Sequence, residues 1–148
     1  VNLKERIQAD VKAAMKAGDK PRREAIRLVL AAIKQREVDE RITLDNQQVL
    51  AVLDKMVKQR RESLEHFRRA DRDDLVQRET DELAVIQCYL PEALSDLEIA
   101  NLIKAALDQA GAVSLRDMGA VMKILRPAVQ GRADMAAVSA QVKALLSR

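Results

Sequence analysis

Two side chains in this sequence have the chemistry for covalent catalysis, the thiol of Cys88 and the imidazole of His66. A hydrolase or transferase built on them needs the base held beside the nucleophile, so that the thiol can lose its proton. Cys88 lies in Gln87-Cys88-Tyr89-Leu90-Pro91 at the end of one predicted helix, and His66 precedes Phe67 on another. Pairing of those two helices as a hairpin holds them far apart, so they read as an idle or packed thiol and a surface imidazole. The sequence has no Walker-type glycine loop, dinucleotide-binding fingerprint, CxxC or HExxH pattern, and no catalytic residue, cofactor or metal is expected. Asp71, Asp73 and Asp74 could hold a cation, but capping and first-turn charge at a helix start explain them at less cost.

Cations carry the other chemistry. Between Lys12 and Arg36 stand eight basic residues against the two acids Asp19 and Glu24, whereas from Asp71 to Glu82 six acids face two arginines. The net charge of +3 hides this polarity. At about 100° per residue, Lys20, Arg23, Arg27 and Lys34 fall within roughly 60° of one another on a helix. Such a line can neutralise successive phosphates of a nucleic acid, and it can equally be a solvated polar face. Lys58, Arg61, Arg68 and Arg69 form a weaker group, with Glu62 and Glu65 among them. With one Phe, one Tyr and no Trp, base stacking is nearly unavailable. RNA recognition would then work through shape and backbone, which suits folded tRNA.

The elements that position these residues are all helical. Apolar residues make up 48% of the chain but are mostly Ala, Leu, Val, Ile and Met, with four Gly and three Pro in total, a helix-forming mixture. A first helix over about Leu3–Ala17 puts Leu3, Ile7, Val11 and Met15 on one face and stops at Gly18. A second, about Pro21–Asp39, buries Ile26, Val29, Leu30 and Ile33. Asp45 and Gln48 form a capping box for a long third helix ending near Arg69, and a fourth starts at Asp71 with Asp74 and ends at Leu90. The short connection forces these two into an antiparallel hairpin. Pairing positions whose numbers share a constant sum sets Leu64 by Leu75, Met56 by Leu83, Leu53 by Ile86 and Val49 by Leu90. Arg60 then stands level with Glu79, and the two should bridge the hairpin.

Beyond Pro91, Ser95 with Glu98 opens a helix carrying Ile99, Leu102, Ile103, Ala106 and Leu107 inward and closed by Gly111. Ser114 with Asp117 opens the next, in which Met118, Val121, Met122 and Leu125 share a face. Pro127 should end or kink it. Gly131 serves the turn, and Asp134 caps a last helix with Met135, Val138, Val142, Leu145 and Leu146 inward. The fold expected is all-α: an N-terminal helical domain over 1–92 with a long antiparallel hairpin, then a three-helix bundle over 93–148. The bundle is small enough to lean on the first domain for stability. No apolar run approaches the ~20 residues of a membrane span. A single Cys and the lack of a leader-like segment suggest a cytoplasmic protein.

The run Met118-Gly119, Val121-Met122, Gly131-Arg132-Ala133-Asp134 and Val138-Ser139 through Leu145 resembles the tail domain of the B subunit of tRNA-dependent amidotransferases. The whole chain resembles the small YqeY family, free-standing proteins that carry this tail. The resemblance extends from Leu3-Lys4-Glu5-Arg6-Ile7 through Ala31-Ala32-Ile33-Lys34-Gln35-Arg36-Glu37-Val38-Asp39 to Tyr89-Leu90-Pro91. It implies a bundle that holds the body of a tRNA. The matching polar positions are Lys123, Arg126, Arg132 and Lys143, with Gly119 and Gly131 allowing turns and close approach. Carbon–nitrogen ligase activity with glutamine as amido donor is implied only through the shared tail, since other subunits of those enzymes carry the ATP and ammonia steps. The leading expectation is a non-catalytic accessory protein that binds tRNA, acting near amidotransferase or other tRNA-handling proteins. The rival is a protein–protein adaptor whose tail contacts a protein and whose long hairpin offers a surface for a dimer.

Overall fold

The structure, a computed structural model, describes residues 2–147. Regular structure among them is α1 (Leu3–Ala17), α2 (Lys20–Glu40), α3 (Asn46–Arg69), α4 (Asp73–Gln87), α5 (Asp96–Ala110), a 3₁₀ turn over Leu115–Asp117, α6 (Met118–Val129) and α7 (Met135–Leu146). The protein is all-α. Its chain divides into two compact units, Val1–Leu90 and Pro91–Arg148, each with its own apolar core. Among the described residues no helix is long and apolar enough to cross a membrane.

In the first unit, side chains start each early helix. Asn2 accepts from the N–H of Glu5 to cap α1, and Asp19 accepts from the N–H of Arg22 to cap α2, with Pro21 in the first turn. Gly18 closes α1 in the left-handed region at φ 69°, where an L side chain is strained. Asp45 and Gln48 make the reciprocal capping box of α3. Ile7, Ile26, Val29, Ile33, Val49, Leu53 and Ile86 are then sealed from water in one cluster. A buried side chain of this size stabilises by about 1.5–3 kcal/mol, so the cluster decides how α1 to α4 assemble.

The hairpin has the register its apolar stripes predict. Arg60 Nη1 lies 3.4 Å from Glu79 Oε2 and 3.4 Å from Glu82 Oε2. Glu82 also meets Arg78 at 3.5 Å, which makes it a node between the two helices rather than an isolated buried charge.

Local details differ from expectation. Met15 is 51% exposed and Ala14 takes its inward place, because Ile7, Val11 and Ala14 stay closer to one line at 100° per residue. Asp71 does not start α4. It stands in the left-handed region at φ 54°, Arg72 occupies the cap position without a side-chain bond, and Asp74 pairs with Arg72 at 3.0 Å. α4 stops at Gln87, and Cys88–Leu90 form a turn rather than its last residues. Leu145 is 41% exposed, since the inward line of α7 settles on Val138, Val142 and Leu146.

In the second unit, the Ser95–Glu98 capping box opens α5 and Gly111 closes it at φ 60°. The Ser114–Asp117 box opens a 3₁₀ turn, and the α-helix begins only at Met118. Asp117 accepts from the N–H groups of Val113 and Ser114, and these bonds hold its carboxyl below the usual aspartate range. Of the two outcomes expected at Pro127, an end or a kink, the helix does not end there and runs on to Val129. Val129 is fully buried, and that burial offsets the cost of a proline so near the helix end. Gly131 at φ 75° turns the chain, and Asp134 accepts from the N–H of Ala136 to start α7. The turn is anchored at both faces of Arg132. Its carbonyl accepts from the N–H of Leu94 at 2.8 Å, and its Nε donates to the carbonyl of Glu92 at 3.0 Å.

Candidate nucleic-acid interface

The four cations of α2 do share a helix face, and the acid among them takes part of their charge. Glu24 Oε1 lies 3.1 Å from Arg23 and 3.2 Å from Arg27, so one carboxylate serves both guanidinium groups. The spacing of three residues from Glu24 to Arg27 was the signal for this in the sequence. Lys20 and Lys34 are exposed and make no ion pair among the described residues. Lys34 adds to the field that holds the Glu37 carboxyl below its ordinary value, after the larger effects of Lys4, 2.8 Å away, and the Leu44 N–H. The α2 face therefore keeps two unpaired ends and a centre where one negative charge offsets part of two positive ones. On α3, Arg68 pairs with Glu65 at 3.1 Å.

The tail positions behave differently. Lys123, Arg126 and Lys143 are exposed, and among the described residues none forms an ion pair. Arg132 is half-buried, its Nε engaged with Glu92. Arg126 lines a groove of about 580 Å³ between α6 and α7, together with Met118, Met122, Gln130, Met135 and Ser139. Its α6 side is the row 118, 122, 126, 130, one residue per turn. Gly119 also lines the groove, and a side chain added there would meet only open space, so its lack of one leaves the backbone approachable. Lys143 stands one turn beyond Ser139 on α7. Among the described residues no acid lines the groove. Sequence reasoning read Met118 and Met122 as core; Met122 is largely buried and Met118 partly so, while both also border this groove. The signal available was the continuation of their row into the polar Arg126 and Gln130.

The two residues with nucleophile or base chemistry stand apart. Cys88 is exposed just past α4 and its thiol donates to the Val85 carbonyl. His66, in the last turn of α3, has Phe67 edge-on at 5.8 Å. The fifteen residues of α4, about 22 Å of helix, separate their ends of the hairpin.

A protein from Pyrenophora tritici-repentis named "Altered inheritance of mitochondria protein 41, mitochondrial" is 33% identical to this chain over 130 residues, 86% of this chain and 71% of that one. Proteins of the same name from Eremothecium gossypii and Lachancea thermotolerans are 42% identical over 85 residues and 33% over 118. These cover 57% and 75% of this chain, and 46% and 63% of the relatives, so the chain spans about half to seven-tenths of their length. The names overturn the expectation of a cytoplasmic protein, for they point to mitochondria. A lone thiol could not have made the distinction, because it marks a reducing environment and not a particular compartment. The family model described as Yqey-like protein matches residues 4–146, and the chain belongs to that family.

Proposed function

We propose that this protein is an accessory that holds folded tRNA by its backbone, with the α6–α7 groove as the principal contact and the ends of the α2 line as a second. The family relation supports a helical protein like the amidotransferase B-subunit tail. The observation that carries the RNA reading is that Lys123, Arg126 and Lys143 on α6 and α7 are exposed and form no ion pair among the described residues, with Arg126 lining a groove that no acid lines among those residues. A cation already bound to a carboxylate releases little on meeting a phosphate, whereas a free one gains the full pairing and frees a counterion. The relatives' names give the proposal a mitochondrial setting.

A tRNA-binding isotherm across a salt series tests this. Affinity should fall linearly on a log–log plot, and Arg126→Glu with Lys143→Glu should weaken binding at every salt and flatten the slope by about 1 for each phosphate no longer paired. Arg23→Glu with Arg27→Glu should weaken it less, because Glu24 already holds both. Binding that is indifferent to the tail cations would reject the reading.

A further inference from the structure

Among the described residues that line the α6–α7 groove, Arg126 alone carries a charge. Much of the remaining lining is soft and apolar, for Met118, Met122 and Met135 are three of the chain's five methionines. Ser139, half-buried on α7, adds a hydroxyl to it. A serine or threonine inside a helix can turn its hydroxyl back to the carbonyl one turn earlier. Thr80 and Ser147 do so, donating to the Val76 and Lys143 carbonyls at 2.7 Å each. Ser139 makes neither that bond nor any other side-chain hydrogen bond among the described residues. Its donor and its acceptor are both left for whatever enters the groove.

We infer, resting on the RNA reading above, that Ser139 hydrogen-bonds the 2′-hydroxyl of a ribose whose neighbouring phosphate pairs with Arg126. The groove then selects RNA over DNA as well as holding a polyanion. A phosphate gains far more from a guanidinium than from a neutral hydroxyl, so charge places the strand and Ser139 reads the sugar. The ribose hydroxyl donates and accepts, as a serine does, and it is the group that separates RNA from DNA. The methionines suit the remainder of a sugar, whose carbon face is apolar and fits adaptable side chains. Lys143, one turn beyond Ser139 on α7, supplies a second cation, so a strand drawn between the two cations carries its sugars past the hydroxyl.

Binding isotherms of the full chain with a tRNA transcript and with its 2′-fluoro counterpart, matched in melting profile, test this. Fluorine keeps the backbone charge and the sugar pucker of RNA while removing the hydroxyl donor. The wild type should bind the fluoro transcript about fivefold more weakly, the worth of one hydrogen bond. Ser139→Ala, a change that favours the helix, should bind both transcripts equally, and as weakly as the wild type binds the fluoro form. Its salt slope should match that of the wild type, because no phosphate contact is lost. Equal wild-type affinity for the two transcripts, or a preference that survives Ser139→Ala, overturns the role of Ser139 and leaves the RNA reading standing. Absence of binding to either transcript overturns both.

Discussion

Tyr89 joins the ends of the first unit through one side chain. Its ring is buried, its hydroxyl donates to Asp10 Oδ2 at 2.6 Å, and the Arg6 guanidinium sits 5.1 Å above the ring. Burial, and then the bond to the Asp10 carboxylate, push the hydroxyl well above its ordinary value of 10.0. A group whose folded value is raised stabilises the fold fully below its unfolded value, and the contribution is lost as pH rises beyond it. As the sole tyrosine, Tyr89 reports on itself. Absorbance of the tyrosinate near 295 nm should stay flat well past the ordinary range and rise together with loss of helix. Tyr89→Phe should cost about 1–2 kcal/mol in urea unfolding at neutral pH. A smooth ionisation with the helices intact would show that burial does not hold the proton in place. Nothing in the sequence indicated this bond, because Asp10 lies far along the chain and only the assembled helices bring it near.

At the scale of elements, the hairpin was legible because both stripes are interrupted once, and by opposite charges. A slip of one turn toward Leu75 would set Arg60 against apolar residues and leave Glu79 and Glu82 without it, so the charges oppose that slip more than they add stability. Arg60→Ala should therefore destabilise by about 1–3 kcal/mol, since two largely covered carboxylates lose their shared cation. Arg60→Met combined with Glu79→Leu and Glu82→Leu should recover that loss in urea titrations while admitting slipped pairings, detectable as broadened spectra in the hairpin. The capping boxes were legible because Asp45 with Gln48 and Ser95 with Glu98 announce a helix start locally, whereas the Asn2 cap of α1 was not read in advance. What escaped were balances between a local rule and tertiary burial. Pro127 was read by its backbone rule and is outweighed by Val129. Asp71 was read as a cap, but the chain needed a left-handed residue to turn between α3 and α4. For the candidate interface, residue types and helix faces could be read in advance, and the Glu24–Arg27 spacing signalled one pair, but that the same carboxylate also reaches the adjacent Arg23 depends on side-chain rotamers that periodicity does not encode.

At the scale of the whole molecule, two separate apolar clusters mean two places where stability can be lost. Leu53 and Ile86 belong to one, Leu125 and Val142 to the other, and each is nearly or fully sealed from water within its own unit. A large-to-small change in either should cost about 2–5 kcal/mol where it is made. For the tail, a bundle of about 60 residues, a loss of that size is comparable to its whole stability. Leu125→Ala should therefore raise amide exchange throughout α5, α6 and α7 toward the unfolded rate while the slowest amides of α3 and α4 keep their protection. The same variant should lose the part of the tRNA affinity assigned to the α6–α7 groove and keep the part assigned to the ends of the α2 line, because the two contacts draw on different cores. Uniform loss of protection from α1 through α7 would show a single cooperative unit, and the expected separation of the two contacts would then fail with it.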